Sequence, residues 1–158
     1  MRMKSKNAEP GVLAAAGESI TYRRGEALWT VPLNSIAAIG EATNQSGPWA
    51  DDWFICFVTR PEGRCYEAPL YASGVEAVLD TLARRLGAPI QLDLANSADF
   101  KSCAIWPPTL RGAQLFEFSA PDPVSWRARI LKACHFCPWH VDQHLNPEIL
   151  RELRPPTA

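Results

Sequence analysis

The sequence has no excess of charge of either sign and no long apolar run. Its 16 basic and 17 acidic residues leave a formal net charge of −1, which argues against a broad basic surface for nucleic acid or anionic lipid. No stretch approaches the roughly 18 consecutive apolar residues that a membrane-spanning helix needs. These absences predict a protein that binds neither nucleic acid nor membranes.

The usual catalytic signatures are absent as well. The sequence has no glycine-rich phosphate-binding loop, no G-x-S-x-G and no Ser/His/Asp order that would indicate a nucleophile. It contains no internal repeat and no low-complexity region. With 47% hydrophobic residues in 158, it can form one domain with a proper core and a small extension. We therefore expect a non-enzymatic binding or protein-interaction module, whose partner is another protein or a second copy of the chain.

Cysteine usage and the amino-terminal segment indicate a cytoplasmic protein. The cysteines are odd in number, and Cys56 lies inside a strongly apolar run, which fits buried free thiols better than a secreted disulfide framework. Basic residues followed by small apolar ones imitate a signal peptide. The apolar part, residues 12–16, is too short for that role, and Glu9 and Pro10 precede it. We interpret residues 1–10 as a disordered tail.

One amphipathic helix is predicted over residues 73–86. Its apolar side chains recur at the spacing of one buried stripe: Val75, Val78, Leu79, Leu82, Ala83 and Leu86. Ser73 and Glu76 form a capping-box pattern, in which each side chain can reach a free backbone N–H of the first turn. Gly87 can adopt the left-handed conformation that ends a helix. A helix this one-sided must pack on a sheet, and the strand-like run before it is the natural partner.

Antiparallel strands are predicted before this helix. Four segments have strand-like patterns: residues 19–23, 27–33, 53–58 and 64–70. The third, WFICFV, is apolar on both faces and predicts a central strand that is covered on both sides. The turn from Arg60 to Gly63 joins the last two as a hairpin. The pattern does not assign the segment that contains Ile36 and Ile39.

The pattern after the helix is weaker. Residues 90–94 alternate as a short strand, and residues 96–108 are predicted to be irregular because two consecutive prolines interrupt them. Asp-Pro and Asn-Pro pairs further along the chain provide an N-cap and a first helical residue, so they begin helices. Residues 119–158 are therefore predicted to form a helical extension of a core that spans residues 11–118.

Residues 19–87 resemble a bacterial pleckstrin-homology-like (PH-like) domain. The resemblance rests on the runs ITYRRGEALWTVPLNSIAAIGE, DDWFICFVT and YEAPLY before the helix, with Trp29, Glu41 and Pro69 at positions that the family marks. It implies an α+β fold, a strongly bent antiparallel sheet capped by the amphipathic helix, in a domain used for binding or scaffolding. The phosphoinositide site of the eukaryotic relatives needs clustered basic residues, and the two arginines of the first run do not form one.

The sequence has one conspicuous cluster of metal-ligating residue types. Cys134, Cys137, His140 and His144 have the spacing C-x2-C-x2-H-x3-H, and thiolates together with imidazoles suit zinc. The alternative is that the cysteines pack as small core residues and the histidines lie on the surface. A redox role of the cysteine pair is disfavoured because the pair ends a predicted helix, where the dipole opposes a thiolate. A small zinc-binding protein is thus the rival of the binding module, which would need no cofactor.

Two further groups of residues are candidates for a binding surface. Asp51 and Asp52 precede the predicted central strand; paired carboxylates can serve acid–base chemistry or Mg²⁺, and they can equally cap the strand end. Trp49, Trp106 and Trp139 each neighbour a proline in a predicted loop. Loop aromatics can form a partner-binding surface, or they can fill the gap between the sheet and the C-terminal helices.

Overall fold

The computed structural model describes residues 9–45, 51–95, 97, 99–119 and 142–153. The regular elements in these ranges are β1 Val12–Ala16, β2 Ser19–Arg24, β3 Ala27–Pro32, β4 Ile36–Thr43, β5 Trp53–Thr59, β6 Arg64–Pro69, α1 Val75–Leu86, β7 Lys101–Trp106, β8 Phe116–Ser119, β9 Asp142–Leu145 and α2 Pro147–Leu153. Each ladder between these strands is antiparallel. Antiparallel sheets together with helices confirm the predicted α+β class.

The described strands form three sheets, with the orders β1-β2-β3, β6-β5-β4-β7 and β8-β9. Both predicted hairpins are present: β2 pairs with β3, so that Tyr22 lies opposite Trp29, and β5 pairs with β6, so that Cys56 lies opposite Glu67. Strand β5 lies inside the four-stranded sheet, and its residues from Ile55 onward are buried. This confirms the prediction of a central strand covered on both sides.

Strand β4 is the segment around Ile36 and Ile39, for which the sequence pattern predicted no secondary structure. All eight of its residues are buried, and it pairs with β5 on one side and β7 on the other. Three alanines and a glycine make it hard to recognise, because strands usually contain fewer residues of these types. Packing requires the glycine: a Cβ atom on Gly40 would lie 2.7 Å from the Cys103 carbonyl oxygen and 2.7 Å from a Leu115 methyl group.

The four-stranded sheet is covered on both faces. The first face packs against the three-stranded sheet and α1 through mostly large side chains, among them Leu13, Ile20, Val31, Ile39, Ile55, Phe57, Val78 and Leu82. The second face packs against β8 and α2 through a cluster in which the sheet contributes mostly small side chains: Ala37, Ala38, Ala42, Cys56, Val58 and Ala104, covered by Leu115, Phe116, Ile149 and Leu153. The sheet is therefore the centre of the core.

Helix α1 closes the first face as predicted. Its apolar stripe is buried or partly buried in the first-face cluster: Val75, Val78, Leu79, Leu82 and Leu86. The helix ends at Gly87, which adopts the left-handed conformation (φ 63°). Periodicity alone thus identified the face that this helix buries.

The predicted capping box at the start of α1 is wrong. The N-cap is Gly74, with φ 86°, and no side chain caps the helix. Ser73 pairs instead with the N-terminal strand: its N–H donates to the Gly11 carbonyl (3.0 Å), and its carbonyl accepts from the Leu13 N–H (2.8 Å). Strand β1 approaches so closely that a Cβ atom on Gly74 would collide with the Leu13 carbonyl oxygen.

Two local predictions after α1 are also wrong. Residues 90–94 are coil rather than a strand. Their alternation arises because Ile90 packs against the first-face cluster and Leu92 and Leu94 are half-buried, while Gln91 and Asp93 are exposed. Residues 101–106, predicted to be irregular, form β7 on the free edge of β4. The short sequence KSCAIW shows little periodicity of its own, and the neighbouring strand decides its conformation.

The C-terminal segment, predicted as a helical extension, contains a strand as well as a helix in the part that the structure describes. Strand β9 pairs with β8, and α2 follows directly. The predicted start of α2 is confirmed, because Asn146 Oδ1 accepts a hydrogen bond from the Glu148 N–H at 2.8 Å. The helix predicted after Asp122 and most of the predicted N-terminal tail lie outside the described residues. None of the described helices is long and apolar enough to cross a membrane.

Candidate functional site

An open groove lies on the second face, where the edge strand β6 meets β8, β9 and α2. Its volume is about 620 Å³, and its lining residues are Glu62, Gly63, Cys65, Glu67, Phe116, His144, Leu145 and Leu150. Carboxylates, a thiol, an imidazole and apolar side chains therefore share one concave surface, a combination typical of binding sites. We call this surface the β6 groove.

The β5–β6 hairpin forms one wall of the β6 groove. Gly63 adopts φ 65° in the turn, and its N–H donates to the Thr59 carbonyl at 3.0 Å. Alternation along β6 then directs Cys65 and Glu67 to the same face of the sheet. The turn lies close to α2, since a Cβ atom on Gly63 would be 2.8 Å from a Leu150 methyl group.

The opposite wall is mostly apolar. Phe116 is buried at the base of the groove, Leu145 is half-buried, and Leu150 on α2 is 37% exposed. His144 adds an exposed imidazole to this wall. The groove thus has an apolar side and a side with polar and ionisable groups.

Three metal-ligating side chains meet on the hairpin side of the groove. The Sγ atoms of Cys56 and Cys65 and a carboxylate oxygen of Glu67 all lie within 4.8 Å of one another. The hairpin register causes this, because Cys56 lies opposite Glu67, and Val58, two residues along β5, lies opposite Cys65. Cys56 is buried, Cys65 is half-buried and Glu67 is exposed, so these three side chains extend from the core to the solvent. We call this group the thiol cluster.

The electrostatic surroundings keep the inner thiol protonated. Burial raises the pKa of the Cys56 thiol well above its ordinary value, and the adjacent Cys65 thiol and the carboxylates of Glu67 and Glu41 raise it further. Among the described residues, Cys56, Cys65 and Cys103 are free cysteines. A thiol with a raised pKa is a weak nucleophile, which argues against covalent catalysis by Cys56.

The predicted candidates Asp51 and Asp52 both have partners within the protein. Asp51 forms a 2.5 Å ion pair with Arg24 on β2, and Asp52 accepts a 2.6 Å hydrogen bond from the Tyr71 hydroxyl. The bond to Asp52, together with burial, raises the pKa of Tyr71 to about 12. The Asp52 carbonyl also accepts from the Asn44 N–H at 2.9 Å. These contacts hold the two ends of the β4–β5 connection together, away from the lining of the β6 groove.

Glu41 is a fully buried carboxylate with a structural role. Its Oε2 accepts a hydrogen bond from Trp53 Nε1 at 2.9 Å. Its Oε1 accepts from the backbone N–H of Leu94 at 3.0 Å and from that of Asp93. Three donors thus compensate the desolvation of the charge and hold the coil after α1 against β4.

The remaining predicted candidates are only partly within the described ranges. Five lie outside them: Trp49, Trp139, Cys134, Cys137 and His140. Trp106 is half-buried and packs against the first-face cluster, so it contributes to the core between the two larger sheets rather than to the β6 groove. His144 is the member of the predicted zinc cluster that the structure describes, and it lines the groove together with Cys65 and Glu67.

The thiol cluster was not predicted, although a signal for it was present. The sequence predicts both strands of the β5–β6 hairpin and the turn between them. Placing that turn at Arg60 to Gly63 sets the register, and the register brings Cys56 beside Cys65 and Glu67. A search for metal ligands across predicted strand pairs would have found the cluster.

Comparisons with known proteins do not assign the chain to a family. No protein-family model, curated protein or solved structure matches it. The function therefore has to be inferred from the residues of the β6 groove and their chemistry.

Proposed function

We propose that the protein is a non-enzymatic interaction module with a PH-like core, and that the β6 groove binds a partner-protein segment that combines apolar and basic side chains. The observation that carries this proposal is the lining of the groove, in which exposed and half-buried leucines lie beside carboxylates at the edge of a buried sheet. Such surfaces bind through a few apolar anchors, and the surrounding charges select the partner.

The apolar wall supports a role as an anchor site. Leu150 is one of the few large hydrophobic side chains of the described residues that are exposed, and Leu145 and Phe116 continue the apolar surface inward. Burying one apolar side chain of a partner here would contribute roughly 1.5–3 kcal/mol.

The acidic side supports the choice of a basic partner. Glu62 and Glu67 both line the groove. Glu62 forms an ion pair of 3.4 Å with Arg64, and both side chains are about two-thirds exposed (69% and 67%). Exposed pairs of this kind contribute little to stability, so Glu62 can exchange Arg64 for a lysine or arginine of a partner at small cost.

The architecture is consistent with the PH-like resemblance. Two packed antiparallel sheets with one amphipathic helix against them fit a bent sheet capped by a helix. Trp29 lies in an aromatic group with Tyr22, Phe57 and Tyr66, and its Nε1 donates to the Glu67 carbonyl at 3.1 Å. The free thiols are compatible with the reducing cytoplasm that we infer as its location.

Selection of random displayed peptides on the immobilised full-length protein tests the proposal. We expect enrichment of peptides that carry an apolar side chain flanked by lysine or arginine. A synthetic copy of an enriched peptide should bind at least about tenfold more weakly to Leu150→Asp, and more weakly to Glu62→Gln, in fluorescence anisotropy. Leu28→Asp is the matched control, because Leu28 is 62% exposed on β3, outside the groove.

Two results would overturn the proposal. One is that selection on the wild-type protein enriches no peptide beyond those that selection on the Leu150→Asp protein also enriches. The other is an enriched peptide that binds wild type and Leu150→Asp equally, since the leucine would then not be an anchor.

A further inference from the structure

We propose that the thiol cluster binds a zinc ion through Cys56, Cys65 and Glu67, and that His144 supplies the fourth ligand from the opposite wall of the β6 groove. This site differs from the linear Cys/His cluster that the sequence indicates and shares only His144 with it. It goes beyond the interaction function and does not depend on it, because metal binding is a property of the isolated protein.

The three ligand atoms of the thiol cluster lie close to the arrangement of a tetrahedral zinc site, whereas His144 is not part of this close group and has to approach the ion across the groove that it lines. Zinc–sulfur bonds of about 2.3 Å in a tetrahedron separate two sulfur atoms by about 3.8 Å. The three ligand atoms already lie within 4.8 Å of one another. Closing them around one ion requires shifts of about 1 Å, which the partly exposed side chains of Cys65 and Glu67 can make by small rotations.

The chemistry of the ligands favours zinc among divalent metals. Thiolates favour soft and borderline metal ions. Carboxylate and imidazole are also ordinary ligands of the borderline ion Zn²⁺. On binding, the two thiols lose their protons to water, and the two thiolates with the carboxylate carry three negative charges that the divalent cation largely compensates. Mg²⁺ and Ca²⁺ prefer oxygen ligands alone and are excluded by the two sulfur atoms.

The fold holds the inner ligands in position and leaves an access path. Cys56 is fixed on an interior strand, and its neighbours in the second-face cluster pack around it. Trp29 Nε1 donates to the Glu67 carbonyl at 3.1 Å and so holds the backbone of β6 at the cluster. Cys65 and Glu67 border the open groove, through which an ion can enter.

A titration of the reduced full-length protein with Co²⁺ under anaerobic conditions tests the site. We expect one ion per chain, the visible bands of tetrahedral cobalt with a sulfur-to-metal charge-transfer band, and displacement of cobalt by Zn²⁺. Cys65→Ala should weaken binding by about a hundredfold or more, and Glu67→Gln and His144→Ala by about tenfold or more. Because Glu67 and His144 are exposed, their variants test the site even where Cys65→Ala affects folding.

Two control variants separate this site from other thiols of the chain. Cys103→Ala removes a half-buried thiol on β7 outside the groove, and the double variant Cys134→Ala/Cys137→Ala removes the cysteines of the linear cluster. Both should keep wild-type affinity and the charge-transfer band.

Three results would count against the proposal. It is overturned if wild type shows no thiolate-to-cobalt band, or if the band survives Cys65→Ala and disappears in Cys134→Ala/Cys137→Ala. Unchanged affinity in His144→Ala overturns the assignment of the fourth ligand. The peptide experiment uses Leu150 and Glu62, which are outside this ligand set, so a failure of one proposal leaves the other measurable.

Discussion

Within the described residues, the two faces of the four-stranded sheet differ in side-chain size and in the completeness of their cover. Adjacent residues of β5 illustrate the difference: Ile55 and Phe57 belong to the first face, whereas Cys56 belongs to the second. The first face is covered by a three-stranded sheet and α1. The second is covered by the shorter β8 and α2, with an open groove beside β6.

This difference separates the part of the sheet that buries large side chains from the part that borders the open groove. The first face is lined by larger side chains, each of which buries more apolar area and contributes more hydrophobic free energy than the small side chains of the second face. Small side chains on the second face permit close approach, as at Gly40, and leave Cys65 and Glu67 at an open edge. Substitutions on the first face should therefore change folding, and those in the groove should mainly change binding.

The largest effect is expected on the first face, for Leu82→Asp. Leu82 is 1% exposed and lies in an apolar cluster, so the new carboxylate would be buried without a hydrogen-bonding partner. We expect a loss of more than about 4 kcal/mol in the free energy of unfolding, enough to unfold a typical domain. Circular dichroism during urea denaturation measures this loss.

Ala77→Asp is the control for that substitution. It introduces the same charge on the exposed side of the same helix, in the first turn, where the helix dipole offsets the lower helix propensity of aspartate, so the free energy of unfolding should stay within about 0.7 kcal/mol of wild type. If the two variants melted alike, the stripe of α1 would not be the buried side and the comparison of the two faces would fail.

The next largest effect is expected for Glu41→Gln. The substitution keeps the shape of the side chain, but its NH₂ group would replace one of the two oxygens that accept hydrogen bonds from Trp53, Asp93 and Leu94. We expect a loss of about 3 kcal/mol, because a buried donor would be left without an acceptor. Glu117→Gln, on the exposed side of β8, should stay within about 0.5 kcal/mol of wild type in the same urea titration. A Glu41→Gln protein as stable as that control would contradict the structural role of Glu41.

The sequence predicts α1 and β5 well and β4 and β7 poorly, for a physical reason. The stripe of α1 is recognisable because its large apolar side chains recur with the helical period, and WFICFV is recognisable as a continuous apolar run. Strands β4 and β7 lack this signal: β4 is rich in alanine and glycine, and KSCAIW is short and mixed. Their burial depends on neighbouring strands, which a single sequence does not show.

The candidate site was missed for a related reason. The spacing of Cys134 to His144 is visible along the chain, whereas the meeting of Cys56, Cys65 and Glu67 depends on the register between two strands. Residues of one functional site commonly come from separate elements, whereas linear spacing reveals only residues that are close together along the sequence. His144 belongs to the linear pattern and also lines the β6 groove.

A smaller effect is expected on the second face, for Gly40→Ala. The added methyl group would meet the Cys103 carbonyl oxygen and a Leu115 methyl group, each at 2.7 Å, and the carbonyl belongs to the paired backbone of β7. We expect a loss of about 2 kcal/mol from overpacking. In a double-mutant cycle with Leu115→Ala, only part of this loss should be recovered, because the carbonyl contact remains. An unchanged urea midpoint in Gly40→Ala would show that the second face is not closely packed at β7.

The smallest effect concerns the hydrogen bond from Tyr71 to Asp52, which lies at the surface. The pKa of Tyr71 is raised from its ordinary value of 10.0 to about 12, so the folded state holds the phenolic proton more tightly than the unfolded state. The stability that this bond contributes is therefore complete below pH 10 and is lost as the pH rises toward 12. Because Tyr71 is 52% exposed, solvent screening should limit the loss to less than about 1 kcal/mol.

Tyr71→Phe separates this titration from the other groups that change charge at alkaline pH. Phenylalanine keeps the ring against Trp53, which lies 6.5 Å away between ring centroids, and removes only the hydroxyl group. Below pH 10 wild type should be slightly more stable than Tyr71→Phe, and the difference in their urea midpoints should shrink as the pH approaches 12. A difference that stays constant across this range would mean that the phenolic proton is not held by Asp52. A difference that grows would mean that the phenolate is the better-bound form, which is the opposite of the hydrogen bond seen here.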